Sequence, residues 1–475
     1  MAYRYGNRSQ GNLFPQSIED YISSDDPVRA YDAFVEALKF EELGILLDDN
    51  QVGNPEYDPK TMLKLLIYGY SYGIRSSRKL ERATYHNVSF IWLMGGLNPD
   101  HKTIARFRAD NKKALKNILK QCAKLCIELE LIEGNTLFVD GSKIRANASI
   151  NNTWTKEKSE RYLINIDERI EAILKECESI DEKEQDSGSL VQLKGELKNQ
   201  EALKNRIHGI LNKLKEENLK SMNSTDPECV KVKGRQGAHA GYNGQLVVDE
   251  KHGLILHSDV VNENNDSNQF AVQIEQANEV LDKKCENACA DSGYANTDEL
   301  KKIDDQNIQV IVPTQKQAYE TKPGPFDKEQ FTYDSKNDWY ICPEGHKLSY
   351  SHFSITKNHK LYRMENKNNC HTCKHYGICT TATRGRAIIR LFNEETKEKL
   401  KKIYSSTQAQ AIYKLRKQKA ELPFGHLKRN LGVGSFLLKG LEGVKAEMSV
   451  LGTCFNMARM ITILGTIGLI AKLQR

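Results

Sequence analysis

Between Thr136 and Val312 the apolar pattern changes character in a fixed order, and that order restricts the folds open to the chain. Thr136, Leu137, Phe138 and Val139 lead straight into Asp140 and Gly141. The run reads as a buried strand that delivers one carboxylate to its end. Gly241 to Val248 and Leu254 to Val261 read as two further strands, joined through Asp249, Glu250, Lys251, His252 and Gly253, a hairpin signal. Helix then alternates with strand: Asp266 to Leu281 helical, Ala288 to Asp291 extended, Thr297 to Ile303 helical, Ile308 to Val312 extended. Three successive antiparallel strands, followed by strands that alternate with helices and are therefore parallel, predict a mixed sheet in an α/β fold.

A single Asp-Gly at a strand end is usually an ordinary turn, so the meaning of Asp140 depends on its company. Asn287 to Tyr294 repeats the form, with small and apolar residues running into Asp291 and then a turn. Tyr413 to Asn430 reads as a helix rich in bases, among them Arg416, Lys417, Lys419, Lys428 and Arg429, with Glu421 a lone acid. Two strand-end aspartates and a helical glutamate supply the oxygen ligands that paired Mg²⁺ ions need for phosphoryl transfer. The plainer reading of Glu421 is a surface ion pair. Among the rival carboxylates Asp226, Asp249, Asp259 and Asp266, Asp226 precedes Pro227 and Asp249 lies in a turn, both structural placements. Asp266 follows a strand and opens a helix, which makes it the best substitute ligand. His239 and His257 are further candidates to line the cleft.

Upstream, Pro27 to about Leu131 carries apolar residues at helical spacing, including Ala30, Phe34, Val35 and Leu38. Asp100 reads as the N-cap of a helix bearing Lys102, Arg106 and Arg108. With Arg75, Arg78, Lys79 and Arg82 nearby, such a helix suits a DNA groove, the alternative being a solvated basic face. Beyond Asp140, Lys143, Arg145 and Asn147 are candidate backbone contacts. From Trp154 to about Lys220, Leu163, Ile166, Ile170 and Ile173, then Leu203, Ile207, Ile210 and Leu214, follow three-four spacing, interrupted at Ser187, Gly188 and Ser189. An antiparallel helical hairpin of coiled-coil type is expected there, inserted after the first strand.

The chain has 11 cysteines, sparse except for one cluster, so a disulfide framework is not expected. Cys342 and His346 are spaced Cys-x3-His, and Cys370, Cys373 and Cys379 are spaced Cys-x2-Cys-x5-Cys. Such spacings suit a closed, structural, tetrahedral Zn²⁺ site; Cys342, Cys370, Cys373 and Cys379 are the preferred set, with His346 in reserve. Few long apolar runs surround them, so a metal staple is expected, against an alternative of reduced thiols that bind nothing. The bases from Arg384 to Lys419 that lead towards Glu421 suit a phosphate backbone. A net charge of +6 fits a nucleic-acid partner without demanding one. The amino end shows no signal-peptide core, and the most apolar run, Met460 to Leu473, is shorter than the roughly 20 residues of a bilayer span. Neither secretion nor a membrane partner is expected.

At these residues the sequence resembles the DDE transposases of bacterial insertion sequences, in the superfamily of retroviral integrases. The likeness rests on Asp140 in VDGSKIRANAS, Asp291 in ADSGYAN, and Glu421 in ELPFGHLKRN with Lys428 seven residues later. It extends to GNRSQGNLFPQSIEDYI near the start, to PDHKTIARFR and to GYNGQLVVDEKHGLI. The family pattern Tyr-x2-Arg-x3-Glu-x6-Lys fits Tyr413, Arg416 and Lys428, but four residues separate Arg416 from Glu421 here. The resemblance implies a ribonuclease H-like catalytic core in which the first and fourth strands are neighbours and Asp140 and Asp291 meet. It implies a helical DNA-binding domain over residues 1–132 and a catalytic domain over 133–475, with the helical hairpin (154–222) and the cysteine-rich segment (314–390) as inserts. The implied activity is Mg²⁺-dependent DNA cleavage and strand transfer by Asp140, Asp291 and Glu421 with two ions, Mn²⁺ being able to substitute. Lys102, Arg106, Arg108, Lys143, Arg416, Lys428 and Arg429 become the expected contacts to double-stranded DNA, both terminal inverted repeats and target. A homodimer or larger synaptic assembly in the bacterial cytoplasm, on the nucleoid when DNA is bound, is expected. A nuclease of the same fold and a DNA-binding descendant that no longer cuts remain open alternatives.

Overall fold

The computed structural model describes residues 17–45, 56–181, 187–234, 237–320, 322, 324–355 and 359–474. The longer helices before the first strand are α1 (Pro27–Glu36), α2 (Pro59–Ser71), α3 (Ser77–His86), α4 (His101–Asp110) and α5 (Lys112–Glu128). The aspartates set where three of them start. Asp26, Asp58 and Asp100 each accept backbone N–H groups of the first turn, from Val28, from Lys60 and Thr61, and from Thr103. Pro27 and Pro59 follow at the position where a missing N–H costs nothing.

The main sheet comprises β1 (Thr136–Arg145), β2 (Val230–Gly234), β3 (Gly237–Asp249), β4 (Ile255–Val261), β5 (Asn287–Cys289) and β6 (Gln309–Ile311). β3 is antiparallel to β1, to β2 and to β4, whereas β5 is parallel to β1 and β6 is parallel to β5. The sheet is therefore mixed, and β1 lies between β3 and β5. Helix α8 (Phe270–Leu281) links β4 to β5, and α9 (Thr297–Asp304) links β5 to β6. Two sequence expectations need correction. Asp140 does not end its strand: β1 continues to Arg145, with Asp140 opposite Leu246. What ends there is the neighbour, since β5 pairs with β1 only from Thr136 to Phe138. The helix expected from Asp266 begins at Phe270, because residues 266 to 269 form a turn closed by the Gln269 N–H on the Asp266 carbonyl.

Between β1 and β2 stand α6 (Lys156–Asp181) and α7 (Ser187–Glu216). Leu163, Ile166 and Ile170 meet Leu203, Ile207 and Leu211, and Asp167–Lys204 and Arg169–Glu196 ion pairs flank that seam, so the two helices run antiparallel. Ser187, Gly188 and Ser189 open α7 and do not interrupt a helix. The cysteine-rich segment is more regular than its sequence suggests. It forms an antiparallel meander of β7 (Thr332–Asp334), β8 (Trp339–Ile341), β9 (Lys347–Ser354), β10 (His359–Met364) and β11 (Ala387–Leu391), with Tyr340, Leu348, Tyr362, Met364 and Ile388 as a small core.

After it come α10 (Glu394–Tyr404), α11 (Thr407–Arg429), α12 (Leu441–Leu464) and α13 (Thr466–Leu473). The apolar run from Met460 is thus two helices, bent by 107° at Gly465, whose φ of +70° suits glycine. Among the described residues no single helix is long and apolar enough to cross a membrane. Nearly all of α12 is buried, against α2, α5 and β4, so one apolar core runs from Val28 and Phe34 through Cys122, Val139 and Val247 to Met457. Asn456 of α12 satisfies the outer edge of β4, accepting the Ile255 N–H at 2.8 Å and donating to its carbonyl at 2.7 Å. Glu447, also on α12 and buried, receives the Arg75 guanidinium on one oxygen and the N–H groups of Leu437 and Leu438 on the other. That pins the loop after α11 beneath β1, where the Phe436 N–H donates to the Arg145 carbonyl.

Candidate active site

Alternate residues of a strand face opposite sides, so Phe138, Asp140 and Ser142 point to one face of the sheet and Gly141 and Lys143 to the other. Helix α11 covers the first face, where Ala409 and Ala420 pack with Phe138, Cys289 and Ile311. Its buried stripe is Ala409, Arg416, Ala420, Phe424 and Leu427, at helical spacing. Arg416 therefore points inward. Its guanidinium lies 3.4 Å from Asp140 Oδ1 and 3.8 Å from Glu421 Oε1.

The extra residue between Arg416 and Glu421 has a visible effect. Four residues after Arg416, where the family spacing places the glutamate, stands the fully buried Ala420. Glu421 is turned a further ~100° around the helix, and its side chain is 58% exposed. Asp291 closes the group from β5: it caps the short turn Ser292–Tyr294 by accepting the Gly293 N–H at 2.7 Å. Burial pushes the Asp140 carboxyl up to about 7; Arg416 opposes the rise, and Asp291 and Glu421 add to it. Asp140 and Arg416 are buried together, with Asp291 beside them and Glu421 at the solvent edge. That donor set fits a hard divalent ion, whose charge would remove the penalty on ionised Asp140. As the side chains stand, among the described residues no three His, Cys, Asp or Glu groups are drawn together tightly enough to hold a metal ion.

The opposite face of β1 carries polar residues that sequence reasoning missed. Asn243 and Gln245 are fully buried on β3 and donate to Asp266 Oδ1 at 2.7 and 2.8 Å, and Lys143 Nζ joins them at 3.1 Å. The Tyr294 hydroxyl donates to Gln245 Oε1. Their signal was present as two amides at alternate positions of an otherwise apolar strand. Asp266, weighed as a substitute ligand, thus lies behind the acid group, holding a lysine and two amides. His239 is set against Arg145, and His257 lies with Lys116, Lys120, Asp259 and Lys445 in a separate pocket. Asp226 and Asp249 are structural, bonded to Tyr242 and to the Gly134 and Lys251 N–H groups.

Two expected DNA contacts are corrected. Arg108 is buried and donates to the Tyr70 hydroxyl at 2.9 Å and the Arg75 carbonyl at 3.0 Å, so it ties α4 to α2. Arg416 is internal to the acid group. Lys102 and Arg106 are exposed one turn apart on α4, and Arg429 is exposed at the end of α11, where Lys428 Nζ reaches Ser142 Oγ.

Cys342, Cys370, Cys373 and Cys379 line one small pocket with His346 and His375. Burial raises the Cys379 thiol; Arg386 opposes the rise, and Cys370, Cys342 and Cys373 add to it. Backbone N–H groups of His346, His375 and Arg386 point at Cys342, Cys373 and Cys370 Sγ at 3.3, 3.5 and 3.4 Å. Donors aimed at sulfur suit thiolates, although among the described residues no three of these groups stand as a metal-holding set.

A mid-strand aspartate, a second aspartate at the end of the parallel neighbour and an arginine-held glutamate on a covering helix define a mixed α/β protein with an acidic site. Residues 16–110 match the family described as a transposase domain (DUF772), and residues 341–461 match the family described as a transposase DDE domain. Both matches are to transposase families, the second of the DDE type. The first match takes in α1 to α4, and the second takes in the cysteine segment, Glu421 and most of α12. No curated protein matches the chain. Among solved structures, a synaptic complex of the piggyBac transposase with hairpin DNA is similar at 8% identity, over 94% of this chain and 79% of that one, with a TM-score of 0.35. A likeness of that size does not define a shared fold.

Proposed function

We propose that the chain is the transposase of an insertion sequence, binding the terminal inverted repeats and carrying out cleavage and strand transfer on a ribonuclease H-like core. The placement of Asp140 in mid-strand, opposite the point where β5 stops and beside Asp291 and Arg416, is the observation that carries this reading. Asp140, Asp291 and Glu421 are the residues to hold two Mg²⁺ ions, with Mn²⁺ as substitute. Bound there, the ions supply an activated attacking oxygen and a stabilised leaving one. The chain's own residues do the rest. Arg416 keeps Asp140 and Glu421 from repelling each other before the ions arrive, and α11 and the sheet exclude water from one side of the acids. Lys428 and Arg429 hold phosphates next to Ser142, while Lys102 and Arg106 on α4 supply contacts to the repeat; Lys143 meets Asp266 and lies further back. A 3′-hydroxyl freed by hydrolysis replaces water as nucleophile on target DNA. Joining two ends calls for a dimer or larger assembly, acting in the cytoplasm. Cys342, Cys370, Cys373 and Cys379 hold a structural Zn²⁺, with His346 beside them.

The exposure of Glu421 is the observation that favours a second reading, a chain that binds DNA without cutting it. The deciding experiment is Mg²⁺-dependent cleavage of DNA bearing the element's own end by the unaltered chain and by Asp140→Ala, Asp291→Ala and Glu421→Ala. Loss of cutting in all three with binding retained supports the transposase. Cutting that survives Glu421→Ala removes that residue from the site, and an unaltered chain that binds but never cuts supports the second reading.

A further inference from the structure

Asp140 and Asp291 come from different strands, and something must fix their separation. Each is followed closely by a glycine, Gly141 and Gly293. Gly141 leaves room for Asp266 and its partners, whereas Gly293 leaves room for Asp291 itself. A Cβ at Gly141 would stand 2.6 Å from Gln245 Nε2, 2.7 Å from Asp266 Oδ1 and 2.9 Å from the Tyr294 hydroxyl. A Cβ at Gly293 would stand 2.8 Å from Asp291 Oδ1 and 3.9 Å from Asp266 Oδ2. The carboxylate of Asp266 therefore crowds the backbone at Gly141 and lies within van der Waals reach of that at Gly293.

Tyr294 belongs to the turn that Asp291 caps, and its ring is buried against Phe270. Its hydroxyl donates to Gln245, which sits opposite Gly141 in the β3–β1 register. The Gln245 amide donates in turn to Asp266, which also collects Asn243 and Lys143. A continuous chain of side-chain hydrogen bonds thus runs from the loop bearing Asp291 to the strand bearing Asp140, on the face of the sheet away from α11.

We propose that Tyr294, Gln245 and Asp266 are positioning residues that form a clamp setting the distance between Asp140 and Asp291, and hence the affinity of the acid site for divalent ions. The proposal rests on the functional reading above. The three residues touch neither the ions nor DNA; they act through the two aspartates.

The test is Mn²⁺ binding to the full-length protein without DNA, followed by the electron paramagnetic resonance of free Mn²⁺. Tyr294→Phe keeps the ring and removes only the hydroxyl, and Asp266→Ala removes the partly exposed anchor should the first variant fail to fold. Each is expected to weaken Mn²⁺ binding about tenfold, the lower end of what groups behind metal ligands contribute. The two together should weaken it no more than either alone, and Asp266→Asn, which keeps an acceptor, should recover most of the loss. DNA binding in EDTA should be unchanged, and cleavage should return at high Mn²⁺. Unaltered Mn²⁺ affinity in folded Tyr294→Phe and Asp266→Ala overturns the clamp while leaving the transposase reading in place. Absence of Mn²⁺ binding by the unaltered chain overturns both.

Discussion

The Arg416 guanidinium lies 3.4 Å from the Asp140 carboxylate, inside the stripe of α11 that faces the sheet. An arginine at that place in the sequence looks like one more base in a basic helix. Its burial shows that its partners are the acids. Removing one member of a buried charge pair typically costs about 3–5 kcal/mol because the other is left uncompensated. Arg416→Ala is expected to lose on the order of 3 kcal/mol in EDTA at pH 8 by urea unfolding, and to regain part of it in millimolar Mg²⁺. A loss that Mg²⁺ does not reduce would separate Arg416 from the metal site.

Asp140 itself gives a pH signature. Its carboxyl is pushed up to about 7 by burial and by Asp291 and Glu421, against Arg416, whereas an unfolded aspartate titrates near ~4. Between those values the folded chain holds a proton that the unfolded chain has released, so stability falls as pH rises through the window and stays lower above it. Asp140→Asn should lack that decline, so that its stability stays level from pH 4 to 8, while being unable to cut DNA. Parallel stability curves for the two proteins between pH 4 and 8 would refute this.

Gly141→Ala tests crowding. The added methyl would meet three polar atoms within 2.9 Å, an overpacking expected to cost about 1–3 kcal/mol. Thermal unfolding reads the cost. A variant as stable as the parent would show that Gln245 and Tyr294 yield easily.

Glu447→Ala would orphan Arg75 and the N–H groups of Leu437 and Leu438 at once. The expected loss is about 3–5 kcal/mol, measured by denaturant unfolding. A change below ~1 kcal/mol would mean that the loop after α11 is held by packing alone.

For the thiol cluster, one Zn²⁺ per chain is expected by elemental analysis of protein purified without chelator. Cys373→Ser should lose the metal and melt the β7–β11 meander before the main sheet, as followed by amide exchange over that segment. Full metal content in that variant would move the site away from Cys373.

Much of this was legible in the chain because it depended on local pattern. The first strand up to Asp140, the strands at 241–248 and 254–261, the Asp100 cap and the paired helices all announced themselves through apolar pattern, capping and three-four spacing. The failures share a cause. Strand ends depend on the neighbour, so nothing near Asp140 could show that β5 stops and β1 does not. Arg108 and Arg416 are charged residues buried by partners distant in sequence, and periodicity describes a helix face without saying what covers it. The cysteine meander was hidden because its small core mixes aromatic residues with single aliphatic ones set far apart in the chain, such as Tyr340, Leu348, Tyr362 and Ile388.

The position of α12 in the chain has a consequence during synthesis. The strand bearing Asp140 and the base-bearing α4 leave the ribosome long before Leu441–Leu464, yet that helix covers α5, joins α2 to β4 and seals the β4 edge through Asn456. Until it arrives, the acidic site has no finished floor and the sheet has an open rim for other chains to pair with. A product ended before Leu441 would be a ready target for proteases. The sheet that carries Asp140 is thus completed only once Leu441–Leu464 has been made.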